Sequence, residues 1–222
     1  MATKQGTQDT DVAAGSEGAE TRDEAERPMR ADARRNRQRL VDAAREVFAE
    51  QGASASMEAI AKRAGVGVGT LYRHFPNRYD IVEAVYQHDV DELEDAARRA
   101  VAELDPWLAV EAFFEAFQSY VHRKSAMMSE LHQAFEKHPE FRSKMRERID
   151  GAFTLVIDRA KAAGVVRPDV EGWEVTELVG PICRNEAMSP GQRQRLVGMI
   201  LDGLRASAMP EPTAAPLAPT SA

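Results

Sequence analysis

Thr70, Tyr72, Arg73 and His74 crowd one short segment that ends at Phe75-Pro76. Together they offer two hydroxyls, a guanidinium and an imidazole, hydrogen-bonding groups suited to an oxygen-rich, negatively charged surface. A guanidinium has a further use, because its planar fork matches the paired O6 and N7 acceptors on a guanine edge. With Leu71 and Phe75 facing a core, helical geometry spreads Gly69, Thr70, Tyr72, Arg73 and His74 over the outward faces. The sequence carries no nucleophile elbow, phosphate loop or dinucleotide fingerprint, so no enzyme is expected.

The flanking residues define the elements that would hold this segment. Leu40, Ala44, Val47 and Phe48 recur at helical spacing before Gly52, which predicts a first helix over 33–51. Ser56 can accept from a free backbone N–H and opens a short second helix that buries Met57, Ile60, Ala61 and Ala64 and ends at Gly65. After Val66 and Gly67 a third helix of about two turns runs up to Pro76, because the residue before a proline avoids helical geometry. Asn77 caps a longer fourth helix, with Asp80 in its first turn and Ile81, Val85, Leu93, Ala97 and Val101 as its buried stripe. The tight turn Ala64-Gly65-Val66-Gly67 makes the second and third helices a helix-turn-helix between Ser56 and Phe75. In that geometry the later helix enters the major groove of double-stranded DNA while the earlier one crosses the phosphate backbone. Arg73 is then the best candidate for a guanine, a contact worth about 1–3 kcal/mol of discrimination, and Thr70, Tyr72 and His74 fix register on phosphates. Gly67 and Gly69 contribute by lacking bulk. Arg34, Arg35, Arg37 and Arg39 open the first helix beside the motif and are expected to meet phosphate.

The net charge of −7 opposes such a role until it is divided along the chain. Segment 31–78 holds nine basic and five acidic side chains, whereas 1–30 holds four and seven and 79–222 holds sixteen and twenty-four. A local positive patch attracts phosphate, and an acidic remainder orients the approach. No apolar run nears the roughly 20 residues that cross a bilayer, so no membrane role is expected. Residues 1–30 are too polar for a core or a secretory signal and are expected to form a loose tail, with the protein staying cytoplasmic. Pro210, Pro212, Pro216 and Pro219 make 207–222 a second loose tail. The lone Cys183 cannot form an internal disulfide and reads as a small buried hydrophobe, and no cofactor is expected.

The run Ile60-Ala61-Lys62-Arg63-Ala64-Gly65-Val66-Gly67-Val68-Gly69-Thr70-Leu71-Tyr72-Arg73-His74-Phe75-Pro76-Asn77-Arg78 resembles the core of the tetracycline-repressor (TetR) family, a likeness covering 33–93. The resemblance implies an all-α chain: an N-terminal three-helix helix-turn-helix domain over 31–78, then a helical effector-binding and dimerisation domain over 79–206. It implies a dimeric transcription factor, usually a repressor, released from an inverted-repeat operator by a small-molecule effector. Carried over position by position, it implies backbone or phosphate contacts from Ser56, Thr70, Tyr72, His74 and Arg78, and base reading near Val68, Gly69 and Arg73. Arg37, Lys62 and Gly67 complete the expected DNA-binding set. Two positions depart from the family pattern. Gly67 replaces a small polar residue and loses a capping hydroxyl, at a cost of about a few tenths of a kcal/mol. Glu58 stands where many relatives place a polar or basic contact, and is expected to pair with Lys62 one turn later.

Further helices are expected over 107–123, 126–136, 140–164, 171–183 and 190–206, broken at Asp105-Pro106, Pro139, Gly164 to Pro168 and Ser189-Pro190. Phe113, Phe117 and Tyr120 recur at helical spacing near Trp107 and Phe114, followed by Met127, Met128, Leu131 and Phe135. They form either plain core or the lining of an apolar pocket, in which Phe113, Phe117, Tyr120, Met128 and His132 are the candidate ligand contacts. His122 and His132 lack partners at metal-ligand spacing, so no metal is expected. Val175, Leu178, Val179 and Ile182, then Leu196, Val197, Ile200, Leu201 and Leu204, give the last two helices broad apolar faces. In the resembling family these helices pair with their symmetry mates, which marks Leu178, Ile182, Leu196, Ile200 and Leu204 for a dimer interface; burial within one chain is the alternative. A helix-turn-helix architectural or adaptor protein without an effector, and a transcriptional activator, stand as alternatives to a repressor.

Overall fold

The computed structural model describes residues 17–125 and 127–206, with side chains from 32 onward. The tail expected at 207–222, and the part of the first one at 1–16, lie outside the described residues. Among the described residues the chain is all-α: α1 Glu17–Gln51, α2 Met57–Ala64, α3 Val68–His74, α4 Arg78–Glu103, α5 Pro106–Ser125, α6 Met128–Lys137, α7 Pro139–Ala162, α8 Gly172–Arg184 and α9 Pro190–Leu204. A short 3-10 turn, Gly52–Ser54, follows α1. The helix α1 begins well inside the segment expected to be loose. Residues 17–35 are rich in Ala, Glu and Arg, strong helix formers, and extending a helix whose later turns are packed costs no new nucleation.

Local chemistry sets the ends of the first helices. Ser56 Oγ accepts from the Ala59 N–H at 3.0 Å and starts α2. Gly65 ends it at φ +67°, and the Gly65 and Val66 N–H groups return to the Lys62 and Ala61 carbonyls at 3.2 and 3.0 Å. A side chain at Gly65 would be strained in this left-handed cap. Asn77 and Asp80 form a reciprocal capping box at the start of α4, with N–H to oxygen distances of 3.1 and 3.0 Å. Leu40 and Phe48 from α1, Ile60 from α2, and Leu71 with Phe75 beyond it are almost wholly removed from water and fix the three helices around one apolar centre.

The helix α4 is the spine of the molecule, packed by α1, α5, α6 and α7. Its Ile81, Val85, Val90, Leu93 and Ala97 join the core of the first helices to Phe113, Phe117 and Phe153 in the larger bundle. Phe113 and Phe117 each meet the Phe153 ring edge-on at 4.9 Å between centroids. The start of α8 presses on α7 so closely that a Cβ at Gly172 would stand 2.4 Å from the Thr154 backbone, which leaves room for glycine alone. The loop after α7 is pinned to the end of α9, where Arg167 N–H donates to Leu204 O at 2.9 Å and Ala206 N–H to Val165 O at 3.0 Å. Leu204, at the end of α9, is 4% exposed and so is buried within the single chain, the alternative to its expected place in a dimer surface.

Candidate functional site

Leu71 buries one side of α3, and Phe75 just beyond it continues that contact, which leaves Val68, Gly69, Tyr72 and Arg73 exposed on the other. Thr70 and His74 are half-buried at its edges. A Cβ at Gly67 or Gly69 would meet nothing within 4 Å, so packing does not require either glycine. Gly67 caps α3 without a side-chain hydrogen bond, as its lack of a hydroxyl dictates. Ser56 uses its oxygen as an acceptor for α2, and its hydroxyl proton stays available to a phosphate.

The cations around α3 divide into two groups. Arg37 lies with its guanidinium carbon 5.0 Å from the centre of the Phe75 ring and is exposed beside the end of α3. Lys62 is exposed on α2, and among the described residues no ion pair joins it to Glu58. Other arginines are spent on the fold. Arg39 donates to Ala64 O at 2.6 Å, and Arg63 joins Glu46 and Glu50 of α1 at 2.8 and 2.6 Å. Arg78, expected at a phosphate, is held within the chain: it donates to the Ala55 carbonyl and to Glu130 Oε1 at 2.8 Å, and stacks 5.3 Å from the Phe48 ring. A guanidinium held by these acceptors points into the joint between α4 and α6.

A second ionic knot ties α1, α4 and α5. The fully buried Asp89 carboxylate stands 3.1 Å from Arg45 Nε and 3.5 Å from Arg123 Nε, yet neither contact has hydrogen-bond alignment. Burial outweighs both positive charges and raises the Asp89 pKa above the ordinary carboxylate range.

Next to this joint lies a cavity of about 480 Å3, within the size range of small-molecule sites. Of the candidate ligand contacts Phe117, Tyr120, Met128 and His132 line it and Phe113 does not, because its ring is packed on Phe153 in the core. Tyr86, Lys124, Arg142 and Arg184 also line it and were not anticipated. A sequence signal existed for Lys124, which stands four residues after Tyr120 and therefore on the same face of α5. Tyr120 hydrogen-bonds the Tyr86 hydroxyl at 2.8 Å, and Lys124 Nζ donates to the same oxygen at 3.1 Å. Burial raises the Tyr120 phenol pKa well above its ordinary value, so the ring stays neutral.

On α8 and α9, Leu178 is 58% exposed while Ile182, Leu196 and Ile200 are half-buried. Trp173 and Met199 add large apolar exposure on the same two helices, beyond the expected set.

A three-helix reader packed against a larger helical bundle defines a helix-turn-helix transcriptional regulator. Residues 40–85 match the model for bacterial regulatory proteins of the tetR family, and residues 105–206 match the C-terminal domain of SbtR-like transcriptional regulators. A crystal structure of a TetR transcriptional regulator from Streptomyces coelicolor is 35% identical, with a TM-score of 0.68, over 78% of this chain and 99% of that one. A TetR transcription regulatory protein from Mycobacterium vanbaalenii is 32% identical, with a TM-score of 0.62, over 80% of this chain and 99% of that one. The chain belongs to the TetR family, a class of transcription regulators and not of enzymes. An HTH-type transcriptional regulator of Staphylococcus aureus (strain USA300) is 48% identical over 64 residues, 28% of this chain. The chain spans about a third of the length of such curated relatives, 35% in that case.

Proposed function

We propose that the chain is a homodimeric transcriptional repressor that occupies an inverted-repeat operator and leaves it when a small molecule fills the cavity beside α6. Val68, Gly69 and Arg73 meet base edges, while Arg37, Ser56, Lys62, Gly67, Thr70, Tyr72 and His74 hold the backbone. Leu178, Ile182, Leu196 and Ile200, with Trp173 and Met199, form the dimer contact. The exposure of Arg73 and Tyr72 on the face of α3 opposite Leu71 supports the DNA part of this reading. It works in the cytoplasm, where its operator lies; among the described residues no helix is long and apolar enough to cross a membrane.

The observation that carries effector release is the double engagement of α6. Met128, His132 and Phe135 of this helix line the cavity. Glu130 and Gln133 of the same helix hold Arg78 and Tyr79, at 2.8 and 2.7 Å, directly after the reading helix. A ligand that binds better to one position of α6 than to another therefore biases the start of α4, and with it α3. Footprinting of the DNA upstream of the protein's own gene tests the reading. A protected inverted repeat with half-sites about one helical turn apart is expected. No specific complex at moderate salt overturns it.

A further inference from the structure

The cavity beside α6 holds more hydrogen-bond donors than acceptors. Lys124, Arg142 and Arg184 line it, and among the described residues none of them has a carboxylate partner. Arg146 also lines it but is already held by Asp150 and Glu177 at 2.9 and 2.6 Å. Glu136 is the one acidic lining residue against these cations. The phenols add to the excess. Tyr86 and Tyr120 share a single hydrogen bond and Lys124 consumes an acceptor lone pair on Tyr86, so one phenolic proton is left for a guest whichever hydroxyl donates. An adjoining cavity of about 760 Å3 shares Val121, Lys124, Met128 and Arg184 and adds Glu186 and Arg193, whose Nε is buried without an acceptor.

Four aromatic rings, Tyr86, Phe117, Tyr120 and Phe135, line the same cavity. Tyr86 meets Phe135 edge-on at 5.5 Å between centroids, and Phe117 lies 5.8 Å from Tyr120. Lys124 Nζ stands 4.7 Å from the Tyr86 ring centre. A flat aromatic guest would extend this ring arrangement, and its anionic group would supply the carboxylate that the guanidinium and ammonium groups lack. We infer that the effector is an aromatic carboxylate, its ring against Tyr86, Phe117, Tyr120 and Phe135 and its carboxylate among Lys124, Arg142 and Arg184. This rests on the reading of the cavity as an effector site.

Benzoate, 2-naphthoate and indole-3-acetate, each beside its own neutral carboxamide, are the probes. Thermal shift of the full chain reads binding, and a mobility shift on the footprinted fragment reads release. At least one carboxylate is expected to bind about tenfold more tightly than its carboxamide and to release the DNA. Arg142→Gln/Arg184→Gln is expected to remove that preference while operator affinity without ligand stays unchanged; Lys124→Gln, an independent change, is expected to weaken it. Carboxamides that bind and release as well as the acids overturn the anionic class and leave effector release standing. Acids that bind with the expected preference but leave the DNA complex intact support the ligand class and overturn effector release. No shift from any carboxylate, or a preference that survives all three substitutions, overturns the inference.

Discussion

Arg78 Nη2 lies 2.8 Å from Glu130 Oε1, an ion pair that joins the first turn of α4 to α6 with Arg78 27% and Glu130 8% exposed at the side chain. It ties the residue just after the reading helix to α6, the helix whose Met128, His132 and Phe135 line the cavity. Arg78→Met leaves a shielded carboxylate without its cation and should cost about 1–3 kcal/mol, less than for a fully buried pair because Arg78 still touches water. Urea unfolding should show that Arg78→Met/Glu130→Gln costs less than the sum of the single changes. Strict additivity would mean that the pair contributes nothing as a pair.

The two shielded carboxylates should leave opposite marks on stability against pH. Burial pushes the Glu130 carboxyl up, but hydrogen bonds from Ser129 and Arg78 outweigh it and hold the pKa below the ordinary range. The folded state then binds fewer protons than the unfolded one, so this contribution is present at neutral pH and lost as pH falls through the depressed value. Asp89 is raised by burial, beyond what Arg45 and Arg123 restore. Its contribution is therefore present at low pH and declines as pH rises from the ordinary carboxylate range through the raised value. Glu130→Gln should flatten the Tm profile on the acid side of that range, and Asp89→Asn on the alkaline side. Unchanged profiles in both variants would contradict these assignments.

Arg73 is exposed on α3 with no acceptor of its own among the described residues, and the small Gly69 lies on the same face. Arg73→Ala should weaken operator binding about tenfold or more, with a smaller loss on random DNA of equal length. Equal losses on both would make Arg73 a phosphate contact.

The reading helix was legible because its chemistry is local. Ser56, Gly65 and Asn77 each terminate or cap a helix within four residues, and Leu71 and Phe75 show by spacing which side is buried. The bond from Arg78 to Glu130 was not legible, because that partner lies 52 residues on. The cavity hid its cations for the same reason: Lys124, Arg142 and Arg184 come from α5, α7 and α8 and meet only when the bundle closes. Leu204 fits an apolar stripe in either setting, and its burial within the chain shows only once the end of α9 meets the loop after α7.

Leu178 and Met199 are 58% and 67% exposed, so a charge at either costs little in an isolated chain. In a dimer built on α8 and α9, Leu178→Glu/Met199→Glu puts four unpaired carboxylates at one interface. Sedimentation should show the wild type as a dimer and this variant as a folded monomer with weakened operator binding. A variant that stays dimeric would move the interface elsewhere.

Sequence-specific reading by α3 can be measured in a side-by-side titration. The footprinted operator and a scrambled duplex of the same length and composition are titrated with the wild-type protein at one fixed, near-physiological salt concentration. The operator should bind at least about a thousandfold more tightly, the lower end of what specific readers achieve over bulk DNA. Equal affinity for both duplexes would contradict it.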